Sequence, residues 1–311
     1  YYNKPVLRCS YEYAEPMWSL GNGGAQRLLQ QTMHRIFAWQ LIGISPMALQ
    51  SALIESIASQ LYTALHQGAT IAPLTEEYPD ISIDDAYHIS RQVLQLRMDN
   101  NSELMVGKKI GVTSAAVQDM LGVFQPDFGF LTHTMAYADH AEIHVRGNLI
   151  QPRAEAEIAF RLKSDLKGPG VTELDVLNAT QCIMPCFEIV DSRIENWQIK
   201  IQDTISDNAS CGVYVLGSAE IDPKGIDLAN LEIKVYKNST LISQGKGSAV
   251  QGNPLTAVAW LANTLGAFDI PFLAGEVILS GSLVPLEPVQ AGDHMHLELS
   301  GSDIDTCTAT C

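Results

Sequence analysis

The segment Gln151-Pro-Arg-Ala-Glu-Ala-Glu-Ile-Ala-Phe160 decides how the rest of the chain is interpreted. Small and apolar side chains alternate in it with charged ones, and this period of two predicts a β-strand over residues 154–162. Glu155 and Glu157 therefore lie on the same face of the strand. Side chains two residues apart on a strand are about 6–7 Å from each other, so two long carboxylates can reach one ligand.

A third acid, Glu188, lies within the apolar run 182–190, where an unpaired charge is costly. Carboxylates that share a partly dry site either hold protons at raised pKa values or are neutralised by an opposite charge. Oxygen ligands of this kind favour Mg²⁺ or Mn²⁺ over Zn²⁺. The alternative is that Glu155 and Glu157 lie on a solvated strand face while Glu188 pairs with Arg193. Spacing alone does not decide between the two interpretations.

Seven blocks of sequence extend the pattern beyond this strand. They cover residues 107–114, 125–129, 151–160, 185–194, 203–204, 207–212 and 280–288. In these blocks, and in their order, the chain resembles the 2-hydroxypenta-2,4-dienoate hydratases, which are also called 2-keto-4-pentenoate hydratases. These enzymes belong to the fumarylacetoacetate hydrolase superfamily. The resemblance covers roughly residues 47–300.

The resemblance implies that Glu155, Glu157 and Glu188 bind a divalent metal, usually Mg²⁺ or Mn²⁺. It also implies that Lys109 and Asp127 are the acid/base residues. A lysine that leaves water for a pocket can have its pKa lowered toward the working pH, which would suit it for proton transfer.

Without the family, the same residues have simpler interpretations. Lys108 and Lys109 would be a solvated pair of charges. The residues Pro126, Asp127 and Gly129 would form an ordinary surface turn.

Asp127 also distinguishes between close relatives. The 4-oxalocrotonate decarboxylases, by the same resemblance, carry an apolar residue at this position. The resemblance therefore implies a hydratase that adds water to 2-hydroxypenta-2,4-dienoate (2-oxopent-4-enoate) and yields 4-hydroxy-2-oxopentanoate in the meta-cleavage catabolism of aromatic compounds. The alternatives are a 4-oxalocrotonate decarboxylase, a hydratase of a dicarboxylate such as 2-oxohept-4-ene-1,7-dioate, and a partner subunit without turnover.

Two further groups of residues are candidates for binding. The backbone N–H and hydroxyl groups of Ser280, Gly281 and Ser282 could hold the substrate carboxylate, although a plain hairpin turn explains them equally well. His294 and His296 alternate on a predicted strand, but no cluster of acids accompanies them, so we expect them at the surface.

Composition excludes several classes of protein. With 311 residues, of which 46% are hydrophobic, the chain can bury a full core without disulfides. A net charge of −16 argues against partners such as nucleic acid or an anionic membrane surface. The six cysteines show no framework spacing, which predicts reduced thiols and a cytoplasmic protein.

Strand-rich segments with few intervening helices predict an α+β fold. The resemblance implies a mixed β-sheet rolled on itself, like the C-terminal domain of fumarylacetoacetate hydrolase, with an N-terminal helical subdomain. Residues 1–46 form an extension outside the fold, 47–105 a helical subdomain and 106–311 the β-rich catalytic domain. Helices are predicted up to residue 67 and over 83–98, 171–179 and 255–265. Strands are predicted over 109–112, 141–145, 154–162, 183–190, 212–216, 231–236, 276–279 and 295–299. The resemblance further implies a homo-oligomer and a complex with 4-oxalocrotonate decarboxylase.

Overall fold

Three helices begin the part of the chain that the computed structural model describes, namely residues 49–114, 118, 123, 125–301 and 304–311. They are α1 (Ser51–Gln67), α2 (Leu74–Glu77) and α3 (Ile83–Asn101). Ser82 caps α3, because its hydroxyl accepts the Asp85 N–H at 3.1 Å and the Asp85 carboxylate accepts the Ser82 N–H at 3.1 Å. The predicted extension, residues 1–46, lies outside the described residues.

The first helices share a buried apolar core. Its members are Ile57, Ala58, Leu61, Leu74, Ile81, Ile89, Val93 and Ile194. Ile194 comes from the β-rich part of the chain, and two backbone hydrogen bonds of Ile71, with Arg193 and Glu195, join the same two regions. The helices are thus packed and hydrogen-bonded onto the segment that follows the central strands. The boundary between residues 105 and 106 stays a prediction.

A mixed sheet of eight strands carries the rest of the fold, which confirms the predicted class. Its strands are β1 (Met105–Gly111), β2 (Asp127–Thr132), β3 (Ala136–Ala138), β4 (Arg153–Leu162), β5 (Thr180–Val190), β6 (Cys211–Leu216), β9 (Val277–Ser282) and β10 (Glu287–Pro288). Their order is β2-β1-β9-β4-β5-β6-β3, with β10 paired to β4. The β1–β9 and β3–β6 pairs are parallel, and the others are antiparallel.

A second, antiparallel sheet has the order β12-β11-β7-β8. It consists of β7 (Glu232–Lys237), β8 (Thr240–Lys246), β11 (Met295–Gly301) and β12 (Ile304–Thr310). The sequence did not predict β8 or β12. It wrongly predicted a strand at 141–145, which has irregular backbone. Those residues alternate correctly, but a strand also needs a partner, and the structure gives the segment none among the described strands.

Within the part of the chain that the structure describes, three helices accompany the strands, namely α4 (Glu173–Ala179), α5 (Ile201–Ser206) and α6 (Pro254–Gly266). Asn253 caps α6 by accepting the Leu255 N–H at 3.0 Å, and Pro254 occupies the first helical position, where a missing N–H costs nothing. α6 packs on β1 and β9. No helix within the described residues is both long and apolar enough to cross a membrane.

One face of the main sheet carries a buried apolar cluster. It contains Leu131, Met135, Ala159, Cys182, Met184, Cys186, Cys211, Tyr214, Val277 and Leu279. Ala159 lies two residues after Glu157 on β4, and Leu279 is the register partner of Lys109. Since residues two apart on a strand share a face, the charged residues of interest extend this same inner face.

A buried ion pair connects Lys108 of β1 to Glu276 and contributes to the stability of the fold. Lys108 is fully buried and pairs with Glu276, with the Phe272 ring 5.3 Å from its ammonium nitrogen. We expect Lys108→Met to lower the free energy of unfolding by about 3–5 kcal/mol, because it leaves the Glu276 charge buried without its cation. Thermal and urea unfolding would measure the loss. The double change Lys108→Met with Glu276→Leu should recover most of it, and a double variant less stable than the single would contradict this account.

Candidate metal centre and active site

Glu155, Glu157 and Glu188 meet on the two central strands of the sheet. β4 and β5 pair so that Glu155 lies directly opposite Glu188, and Glu157 lies two residues further along β4. One carboxylate oxygen from each residue lies within 4.8 Å of the others. Glu157 and Glu188 are fully buried, and Glu155 is half-buried. The strand alternation that predicted a shared face is therefore confirmed.

The oxygens of this cluster have few hydrogen-bond donors. Glu157 Oε1 and both oxygens of Glu188 lack a hydrogen-bond partner, although Glu157 Oε2 accepts the Gly281 N–H at 2.8 Å. Glu188 Oε1 lies 3.2 Å from Lys109 Nζ, at ion-pair distance but without hydrogen-bond geometry. Buried carboxylate oxygens without donors are costly unless a cation neutralises them. An oxygen-only set of this kind fits a hard divalent ion.

The electrostatics of the cluster agree with this fit. Burial, and then the charge of Glu188, raises the pKa of Glu155 to about 8. The same two causes raise the pKa of Glu157 well above its ordinary value. The three groups thus repel one another as carboxylates, and a divalent cation among them would reverse that repulsion.

Lys109 contributes an amine to the same site from β1. It is buried, so the alternative of a solvated lysine pair is wrong. Burial by itself lowers its pKa, but the charges of Glu188 and Asp127 outweigh burial, and the pKa lies above the ordinary lysine value. The expected lowering considered only the loss of water, whereas here three acidic residues, including Glu155, surround the amine.

Asp127 opens β2 and is buried, so the surface turn is wrong as well. Its partner in the strand register is Gly111, and a Cβ atom there would lie 2.3 Å from Asp127 Oδ1 and 3.5 Å from Lys109 Nζ. Gly111 therefore leaves the space in which the carboxylate and the amine approach each other. Both Asp127 oxygens lack a hydrogen-bond partner. Burial raises the pKa of Asp127 to about 6, although Lys109 opposes the shift.

Ser280, Gly281 and Ser282 lie at the end of β9 and not in a hairpin turn. The Gly281 N–H is already bonded to Glu157, and the Ser282 hydroxyl donates to the Val284 carbonyl at 2.7 Å. Only the buried Ser280 hydroxyl has no partner among the three. Gly281 has φ 105°, and a Cβ atom there would lie 2.4 Å from Thr113, so this position favours glycine.

The alternative in which Glu188 pairs with Arg193 is wrong. The Arg193 guanidinium pairs with Asp207 and also donates to the backbone carbonyls of Asp207 and Cys211, at 2.8 and 3.1 Å. Arg193 thus holds the segment after α5 and is not available to the glutamates. The partner of Asp207 is therefore Arg193, and the spacing of residues along the sequence could not identify this pair.

Other predictions about the site have clear outcomes. Cys182, Cys186 and Cys211 are buried free thiols, as predicted. His294 is exposed, and His296 Nδ1 lies 3.0 Å from the Thr310 hydroxyl. Neither histidine belongs to the acidic cluster identified among the described residues. Sequence reasoning missed Tyr87 of α3, whose ring stacks on Phe128 at 4.3 Å. Burial and the charge of Asp127 raise its pKa, and the helix predicted over residues 83–98 gave no signal that Tyr87 lies near Asp127.

The chain is similar in sequence to a known protein family and to characterised relatives. The profile of the fumarylacetoacetate (FAA) hydrolase C-terminal family matches residues 105–310. A 2-hydroxyhexa-2,4-dienoate hydratase of Comamonas testosteroni is 58% identical over 256 residues, which are 82% of this chain and 96% of the relative. A 2-hydroxypent-2,4-dienoate hydratase of Pseudomonas putida is 54% identical over 222 residues, which are 71% of this chain and 100% of the relative.

A solved structure is similar over most of the chain. The 4-oxalocrotonate decarboxylase from Pseudomonas putida G7, complexed with magnesium and adipate, superposes with a TM-score of 0.79 and 30% identity, over 85% of this chain and 98% of that one. The same enzyme complexed with calcium and acetate gives a TM-score of 0.78 at 29% identity. Profile, sequence and fold agree, and the chain belongs to the fumarylacetoacetate hydrolase family and, within it, to the 2-hydroxypentadienoate (2-keto-4-pentenoate) hydratases.

Proposed function

We propose that this chain is a divalent-metal-dependent hydratase that adds water to 2-hydroxypenta-2,4-dienoate and produces 4-hydroxy-2-oxopentanoate. The observation that carries the proposal is the buried site in which three clustered glutamates face the Lys109 amine and the Asp127 carboxylate. A decarboxylase needs only a polarised ketone and the departure of carbon dioxide. A hydratase must also direct water, and Asp127 is the group for that task.

Glu155, Glu157 and Glu188 would hold Mg²⁺ or Mn²⁺. When bound, the ion supplies Lewis-acid polarisation of the substrate's 2-oxygen and charge compensation for its carboxylate. In a protein of net charge −16, a local positive centre of this kind is needed to attract an anionic substrate. Among Ser280, Gly281 and Ser282 at the end of β9, we assign the Ser280 hydroxyl, which is buried and has no hydrogen-bond partner, to the substrate carboxylate.

Lys109 and Asp127 would move the protons. The 2-hydroxyl of the dienol loses its proton while C5 gains one, which leaves a conjugated enone with an electrophilic C4. Water then adds at C4, and its second proton goes to C3. The Asp127 oxygens make no competing hydrogen bonds, so they can orient that water and accept its proton. We assign the two residues jointly, because their charges interact directly.

The proposal also includes the compartment, the oligomeric state and a protein partner. We place it in the cytoplasm as a homo-oligomer, able to associate with a 4-oxalocrotonate decarboxylase. Three buried free thiols support the reducing compartment. Support for the decarboxylase association comes from the shared fold of that enzyme.

One assay separates the hydratase from the decarboxylase. We expect metal-free protein to be inactive on 2-hydroxypenta-2,4-dienoate. Once Mg²⁺ or Mn²⁺ is added, the absorbance of the diene should decrease, and no carbon dioxide should be released. The control repeats the reaction in excess chelator. The six-carbon homologue should be assayed in parallel, because the two hydratase relatives differ by one carbon in their named substrates. Carbon dioxide release from 4-oxalocrotonate at a comparable rate would favour the decarboxylase instead.

A further inference from the structure

Three consecutive residues in the 207–212 block have a left-handed backbone, and none is glycine. Asn208, Ala209 and Ser210 have φ values of 54°, 51° and 53°. A Cβ atom makes this region unfavourable, and such strain persists only where the surrounding structure holds it in place. The turn formed by these three residues, between α5 and β6, is hereafter the left-handed turn.

The left-handed turn is bonded to the edge of the main sheet. Among the described strands, β2 is the last of the sheet on that side, so one of its edges has no neighbouring strand there. The Asn208 amide fills this edge, because its oxygen accepts the Phe130 N–H at 2.8 Å and its nitrogen donates to the Phe130 carbonyl at 2.9 Å. A Cβ atom on Gly129 would lie 2.5 Å from the Asn208 carbonyl oxygen, so the turn rests directly on β2.

The other side of the left-handed turn is anchored to the segment that follows β5. Arg193 donates to the carbonyls of Asp207 and Cys211, which flank the turn, and the Asp191 N–H donates to the Ser210 carbonyl at 2.8 Å. Asp191 and Arg193 follow directly after β5, which bears Glu188. The turn therefore connects the far edge strand β2 to the β5–β6 region.

The strand register places the left-handed turn next to the part of β2 that pairs with Lys109. Gly129 is the partner of Lys109, and Asp127 lies two residues before it on the same strand. We propose that Asn208 is a positioning residue: by holding Phe130 it fixes β2, and with it Asp127 and Lys109, against the glutamate cluster. The inference rests on the hydratase function proposed above.

The test separates the acid/base pair from the metal ligands. Asn208→Asp replaces the amide donor by a carboxylate that repels the Phe130 carbonyl, and Gly129→Ala pushes the turn off β2 while Asn208 stays intact. Both should lower kcat by about 10- to 100-fold, as expected for a displacement of about 1 Å at reacting groups. The Mn²⁺ dissociation constant, measured by calorimetry without substrate, should change by less than about threefold, because β4 and β5 are untouched.

A matched control is Asn238→Asp, since Asn238 is also left-handed, with φ 52°, and bonds the His294 N–H in the second sheet. It should leave kcat unchanged. Should Asn208→Asp prove poorly folded, Ala209→Gly in the same chain relieves the backbone strain and restores stability without restoring the lost hydrogen bond.

Three outcomes would overturn the inference. They are an unchanged kcat, an equal loss of Mn²⁺ affinity and kcat, and a double variant that still does not fold. A wild-type protein without hydration activity would instead refute the proposed function.

Discussion

Glu157→Gln is expected to abolish metal-dependent turnover and, at the same time, to stabilise the metal-free protein. Burial and the charge of Glu188 raise the pKa of Glu157 well above its ordinary value of 4.5. An acid with a raised folded pKa binds its proton more tightly when folded, so it lowers stability as pH rises above the unfolded value. The neutral amide removes this penalty. The stabilisation should therefore appear above about pH 4.5 and be absent below it.

The response to metal should change in the opposite direction. In the wild type, metal at 100 times its dissociation constant should add about 2.7 kcal/mol to the free energy of unfolding, and the variant should lose most of this. We expect kcat/KM to fall about 10³-fold or more, because metal polarisation supplies several kcal/mol of transition-state stabilisation at 1.36 kcal/mol per tenfold. Thermal unfolding with and without Mn²⁺, together with the diene assay, measures both effects.

Glu232→Gln is the matched control for that experiment. Glu232 is exposed on β7 and pairs with Lys246 at 3.1 Å, so the same loss of charge occurs far from the site. It should change stability by no more than about 1 kcal/mol and leave the metal response intact. If Glu157→Gln destabilised the metal-free protein and preserved its response to Mn²⁺, the three glutamates would not form a cation site.

The shared face of Glu155 and Glu157 in the candidate metal site could be predicted from sequence because the geometry of residues two apart on a strand is local. The period of two along 154–162 fixes the relative positions of Glu155 and Glu157, and an apolar run around Glu188 marks a buried strand. The sequence pattern could not predict which strands are neighbours in the sheet. The register that places Glu188 opposite Glu155 depends on pairing across more than 30 residues, and it was the family resemblance that supplied this contact in advance.

The errors have the same origin. The simpler sequence interpretation places Lys108 and Asp127 in solvent because charged residues are usually exposed, yet Lys108 pairs with Glu276, 168 residues later in the chain. Alternation misses β12 and predicts a strand at residues 141–145, because it does not reveal whether a partner strand exists. Burial alone predicts that the pKa of Lys109 falls. Its direction depends on Glu188 and Asp127, which only the fold brings close.

Asp127→Asn is the second change from which we expect a large effect, and it should separate chemistry from metal binding. The carboxylate is buried, has no hydrogen-bond partner and is not one of the three clustered glutamates. Asparagine keeps its size but can neither accept nor return a proton, so general acid–base assistance of about 10²–10⁴-fold should be lost from kcat. The Mn²⁺ dissociation constant should change by less than about threefold.

Three measurements resolve the effect of Asp127→Asn: calorimetric Mn²⁺ binding, loss of the diene, and formation of the hydroxy ketone. If Asp127 directs water to C4, product formation falls more steeply than consumption of the diene, and the enone accumulates. The control is Asp80→Asn, which makes the same change at an exposed position and should leave all three measurements at wild-type values. Equal losses of Mn²⁺ affinity and of kcat would mean that Asp127 supports the cation and not the water, and the distinction from the decarboxylases would then have to lie elsewhere in the pocket.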